Sequence, residues 1–211
     1  FQQNIQGALA NGIQVGVYFY SGASNAREAY DEASYCISLI RDYQITYPVA
    51  FDWELDGDYD SVTEACETFC NVISSYGYQP MVYSNRNRWY NNFDGEKIAS
   101  KYKVWMAAYF GKFYYDSVRW TYGDDLPNFR YHYDMWQYSS RCYVDGISGQ
   151  VDVDIAFFGY ANYHVDTKDA VLTVTNKEIK RTYGDGIGRL TEELNLLDGV
   201  KGINTIGYDM D

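Results

Sequence analysis

Four carboxylates fall on alternate positions in the stretch "FDWELDGD", at Asp52, Glu54, Asp56 and Asp58, directly after the apolar run of residues 48–51. Side chains alternate faces along a strand, so Asp52 and Glu54 point the same way, roughly 7 Å apart, with Trp53 on the other side. Two carboxyls beside one site suit glycosidic-bond cleavage. One delivers a proton to the leaving oxygen, and a second negative group supports or captures the positive centre. Like charge and partial burial hold such a carboxyl protonated. Phosphoryl transfer would ask for a Gly-rich phosphate loop or a metal set, and neither is visible. "GISG" at 146–149 does not form a GxSxG nucleophile elbow. Asp56 and Asp58 read more simply as the start of a solvated loop. Acids often begin such loops, but a pair at a strand end repels itself unless it is used.

The elements that must hold this pair alternate along the chain. "FQQNIQGALANG" reads as a helix stopped by Gly12, and 13–20 as a strand broken by Ser21 and Gly22. Residues 24–43 carry helical spacing behind Ser24 or Asn25 as cap, 48–54 form the strand bearing the acids, and 61–77 a helix ended by Gly77. Strands follow at 79–84 and 103–110, with "RNRWYNNF" as a short helix or loop between them, then strands at 133–139 and 151–157. Strand–helix succession implies an α/β fold with a parallel sheet, and a closed barrel is one of its two main solutions. Strand C-terminal ends then carry the reactive groups, which is where Asp52 and Glu54 lie. Aromatic residues thin out near Val165, so a boundary is drawn there, with 1–164 as the main domain and 165–211 as a linker or the start of an accessory module. In that tail "AVLTV" reads as one more strand and "GDGIGRLTEELNLLDGV" as one more helix.

Composition narrows the partners. Seventeen Lys and Arg against 29 Asp and Glu give a net charge of −12, which argues against nucleic acid and anionic lipid. No run of 18 apolar residues occurs, so no membrane helix is expected. Twenty-four Tyr and five Trp exceed what core filling needs. Flat, partly polar rings suit stacking on sugars. Cys36, Cys66, Cys70 and Cys142 offer no CxxC pair and no zinc spacing, and His132 and His164 are isolated, so no metal or cofactor is expected. Cys66 and Cys70 share a helix face that could meet Cys36. Disulfide and buried thiols both fit that spacing.

In the order "FQQNIQGALANGIQVGVYFYS", "YPVAFDWE", "MVYSNRNRW", "VWMAAY", "MWQYSS" and "GISGQVDVDIAFF", residues 1 to about 160 resemble the glycoside hydrolase family 25 lysozymes, the muramidases of bacteria, phages and some fungi. The resemblance implies a TIM-like (β/α)5β3 barrel. Six strands are read here where the family has eight, so the first two strands, with an Asp-bearing opening, have no counterpart and the family barrel is N-terminally incomplete. It implies hydrolysis of the β-1,4 bond between N-acetylmuramic acid and N-acetylglucosamine. Glu54 would be the general acid, Asp52 would orient or polarise the substrate, and Asp152 would face the pair from the last strand. Tyr20, Tyr83, Tyr109 and Trp136, near strand ends, would line the sugar groove; Trp105 and Gln137 could equally be core and are set aside. A monomer acting on peptidoglycan glycan strands, secreted or cell-wall associated and of bacterial or phage origin, follows from the same resemblance. Two alternatives stand beside it: a non-catalytic wall-glycan-binding module, and a chitinase-like hydrolase using the same DxE strand.

Overall fold

A computed structural model describes residues 1–111, 120 and 124–158, together with the backbone of 171–174 and 200–203. The chain divides into two compact units, Phe1–Gly159 and Tyr160–Asp211. In the first unit the order is α1 (Gln2–Ala10), β1 (Val17–Tyr20), α2 (Ala26–Ile40), β2 (Val49–Asp52), α3 (Tyr59–Ser75) and β3 (Pro80–Asn85). It continues with α4 (Arg86–Asn91), α5 (Gly95–Ala99), β4 (Lys103–Ala107), β5 (Met135–Cys142) and β6 (Val151–Ala156). The second unit contains the antiparallel pair β7 (Val171–Val174) and β8 (Val200–Ile203). The strand expected from "AVLTV" is β7; of the helix expected at 184–200, Val200 begins β8 instead, and the rest, like His164, lies outside the described residues.

Except for α1, each helix of the first unit starts at a side chain that replaces a missing backbone partner. Asn25 accepts the Glu28 N–H at 3.0 Å before α2, Asp58 the Ser61 N–H at 3.0 Å before α3, and Asp94 the Lys97 N–H at 3.0 Å before α5. Asp58 is thus a helix cap, and Asp56 is 97% exposed in its side chain, so neither joins the acid pair. Along α2, Ala29, Ala33, Cys36, Ile37 and Ile40 form a buried stripe. On α3 the stripe is Val62, Ala65, Cys66, Phe69, Cys70 and Ile73. Small residues on both stripes let α2 and α3 pack side by side over one face of the sheet. Gly77, at φ 84°, ends α3 in a conformation that costs other residues strain.

The six strands are ordered β1-β2-β3-β4-β5-β6, parallel from β1 to β5 and antiparallel at β5–β6. All four residues of β2 are buried, as an apolar run covered on both faces should be. The sheet is strongly curled into a half-barrel. Flat strands three apart would sit roughly 14 Å from each other, yet the Tyr18 ring on β1 meets Trp105 on β4 at 6.4 Å between centroids. Among the described residues β1 and β6 are edge strands with one neighbour each.

Several element ends differ from the sequence reading: β2 stops at Asp52 rather than 54, β4 stops at Ala107 rather than 110, and β5 starts at Met135 rather than 133. Residues 13–16 are not strand, because the Val15 carbonyl accepts the N–H groups of Thr46 and Tyr47, both at 2.9 Å. There the chain runs so close to Tyr47 and Pro48 that a Cβ on Gly16 would lie 2.7 Å from the Tyr47 Cβ. β5 runs on to Cys142, since β6 keeps pairing with it through two register shifts. All four cysteines are free thiols and buried, which decides between the two alternatives left by their spacing.

Candidate active site

Register places the site. Tyr20, Asp52, Tyr83 and Trp105 are lateral partners across β1 to β4, and lateral partners project from the same face of a sheet. One layer nearer the strand C-terminal ends, Ala107, Gln137 and Asp154 form the next row. Asp52 is the last residue of β2, and its own carbonyl accepts the Ser21 N–H at 2.8 Å. Trp53 turns the other way into the core. Its carbonyl accepts the Ser84 hydroxyl at 2.8 Å, and its N–H reaches the Tyr83 carbonyl at 3.3 Å. Beyond it, Arg88 donates to the Leu55 carbonyl at 3.2 Å, so the backbone is held at the residues before and after Glu54. The loop after β1 is fixed separately: Glu32 accepts the Ser21 hydroxyl and the Gly22 N–H.

These restraints turn Asp52, Glu54 and Asp152 into one cleft of about 430 Å³, together with Tyr18, Tyr20, Tyr83, Trp105, Tyr109 and Gln137. Asp52 is only 7% exposed and its Oδ1 has no hydrogen-bond partner. Burial, reinforced by the charges of Glu54 and then Asp152, pushes its carboxyl up to about 7. Around neutrality, therefore, the cleft holds a proton among like charges that feel one another. Tyr83 and Tyr109 both donate their hydroxyls to the Gln137 Oε1, the first at 2.8 Å, which locks two rings at the rim.

The structure brings six of the seven residues expected from sequence into this cleft and leaves one out. Glu54, Asp52, Asp152, Tyr20, Tyr83 and Tyr109 line it. Trp136 does not, and its expected place in the groove is corrected. The indole is 0% exposed, donates to the Ala108 carbonyl at 2.8 Å and packs against Phe110 and Tyr138. Its lateral partner Met106 is equally buried, so this row faces the core. Gln137 and Trp105, set aside from sequence, line the cleft instead, as does Tyr18. Parity along β4 and β5 carries that signal: Trp105 and Tyr109 are four apart, while Trp136 sits one residue from Gln137 and so on the opposite face. Among the described residues no group of three or more His, Cys, Asp or Glu is arranged to hold a metal ion.

A curled α/β sheet with its acids at the strand C-terminal ends defines the class, a barrel-type scaffold with an acid-lined cleft. The family model for glycosyl hydrolases family 25 matches residues 1–147, and the chain belongs to that family. The lysozyme of Streptococcus phage Cp-1 is 29% identical over 137 residues, 60% of this chain and 37% of that protein. Among solved structures, the CTP1L endolysin superposes with a TM-score of 0.59 at 26% identity, covering 74% of this chain and 51% of that one. The modular autolysin LytC from Streptococcus pneumoniae, solved with a synthetic peptidoglycan ligand, gives a TM-score of 0.57 at 28% identity, covering 72% and 36%. The chain thus spans about a third to a half of the length of these relatives.

Proposed function

We propose that the chain is a peptidoglycan hydrolase of the lysozyme type, cleaving the β-1,4 bond between N-acetylmuramic acid and N-acetylglucosamine. Three carboxyls sharing one aromatic-walled cleft carry this reading. Glu54 is assigned as the acid that protonates the leaving glycosidic oxygen. Asp52, neutral below about pH 7, is assigned to orient the substrate by hydrogen bonding, for which an O–H donor facing the sugar's acetamido carbonyl is suited. Asp152 faces both from β6 and supplies negative charge to the oxocarbenium-like centre. Tyr20 and Tyr109, 57% and 42% exposed, offer ring faces to the sugars. The phage lysozyme's name and LytC's bound ligand support peptidoglycan as the substrate and a wall-associated site of action. Residues 165–211 are assigned as a linker or accessory module.

The test is release of reducing ends from purified cell walls, with chitin as the comparison polymer. Release from peptidoglycan that is abolished in Glu54→Gln supports the assignment. Undiminished release in that variant would reject Glu54 as the acid, and release from chitin alone would reject the substrate.

A further inference from the structure

Trp105 occupies an unusual place in the half-barrel. Its indole borders the acid-lined cleft above and a second, apolar cavity of about 160 Å³ below, whose walls include Val17, Ala50, Met81 and Met135. Tyr18 and Tyr83 touch the ring edge-on, at 6.4 and 4.7 Å between centroids. The apolar space beneath leaves room for the ring to tilt downward. What opposes the tilt is polar: the indole N–H donates to the Asp154 Oδ1 at 2.7 Å. Asp154 stands on β6 opposite Gln137, outside the residues that line the cleft.

We propose that Asp154 is a positioning residue whose carboxyl oxygen pins the Trp105 indole as the floor of the glycan cleft. The inference rests on the cleft being the sugar site, and it adds a specificity-setting pair, Asp154 and Trp105, behind the acids. Burial of Asp154 is costly: desolvation and the nearby Asp152 charge push its carboxyl up to about 7, while the indole bond pulls it down. A carboxyl kept where it is disfavoured, with a ring N–H as the contact that favours it, fits a residue retained for that bond. With the ring held level, its face is presented to a pyranose; released, it sinks toward the apolar cavity and the cleft floor deepens.

The experiment uses the full chain with Asp154→Ala, Asp154→Asn, Trp105→Phe and the Asp154→Ala/Trp105→Phe pair. Steady-state kinetics on solubilised glycan strands and indole N–H resonances in the sugar-free protein are read in parallel. Trp105 is assigned by the signal missing in Trp105→Phe. Asp154→Ala is expected to raise KM roughly tenfold with kcat within about twofold, a loss of binding rather than of chemistry. Asp154→Asn keeps an acceptor oxygen and is expected to stay within about twofold of the parent in both. Adding Asp154→Ala to Trp105→Phe is expected to change nothing further, since the two act as one unit. The Trp105 resonance is expected to move in Asp154→Ala. An unmoved resonance, Asp154→Asn as impaired as Asp154→Ala, or additive losses would each overturn the proposal. Absence of turnover by the parent chain, with the Trp105 resonance still moved by Asp154→Ala, would sink the glycan reading while leaving the pinned indole standing.

Discussion

Replacing Asp52 by Asn isolates what the fold gives up to keep a carboxyl in the cleft. Asp52 is nearly buried, its Oδ1 bonds to nothing, and its carboxyl is pushed from 3.8 up to about 7. The folded chain therefore holds this proton more tightly than the unfolded chain. That preference contributes fully below pH 3.8 and is lost as pH rises through about 7. The difference between the two values corresponds to about 4 kcal/mol once Asp52 is fully ionised. Water entering the open cleft screens the charge, so this is an upper figure. Asn has the same shape, does not titrate and forfeits no bond at Oδ1. Urea midpoints from pH 4 to 9 should then show the two proteins equally stable at pH 4. The Asn variant should pull ahead between about pH 4 and 7 and then hold its lead, roughly 2–4 kcal/mol at pH 9. Asp154 titrates in both proteins and cancels in the difference. Parallel stability curves, or an Asn variant weaker than its parent at pH 9, would refute the reasoning.

Glu54→Gln should lower reducing-end release by on the order of 10²–10⁴-fold while leaving the urea midpoint within about 0.5 kcal/mol, since only proton donation is removed. Trp136→Ala should cost about 3–5 kcal/mol of stability, read as a lowered melting temperature, because a fully buried indole leaves a cavity. Tyr20→Ala, on an exposed ring, should weaken glycan binding in equilibrium titrations and leave the melting temperature nearly unchanged. Asp134 behaves oppositely to Asp52. Burial pushes its carboxyl up, but His132, Lys103 at 2.8 Å and the Val104 N–H at 2.9 Å outweigh it and bring it down to about 2. Its contribution is present above pH 3.8 and lost as pH falls through 2, so Asp134→Asn should flatten the acid limb of an unfolding curve between pH 4 and 2.

The acids and the strand order were legible because each strand announces itself by composition. A β-branched or aromatic run closed by Ser, Gly or Asp marks β1, β2 and β3 within a few residues. Asp52 and Glu54 were legible for the same reason: period-2 spacing at a strand end needs no tertiary information. What escaped was decided by neighbours. Residues 13–16 look like strand, yet close approach to Tyr47 and the two bonds to the Val15 carbonyl divert them. Trp136 looks like a sugar-stacking ring until its register with Met106 shows which face it takes. Asp154 carries no local mark at all, because its meaning depends on an indole 49 residues away.

The four thiols turn the molecule into its own opening gauge. Each sits in the interior, and on the two helices burial pushes Cys36 up to about 11 and Cys66 and Cys70 higher still, so these three do not form the reactive thiolate while the helices stay packed. An alkylating reagent can reach Cys36 only when α2 lifts, and Cys66 or Cys70 only when α3 does. Site-resolved alkylation rates would thus time the breathing of each helix over the sheet, with no engineered probe.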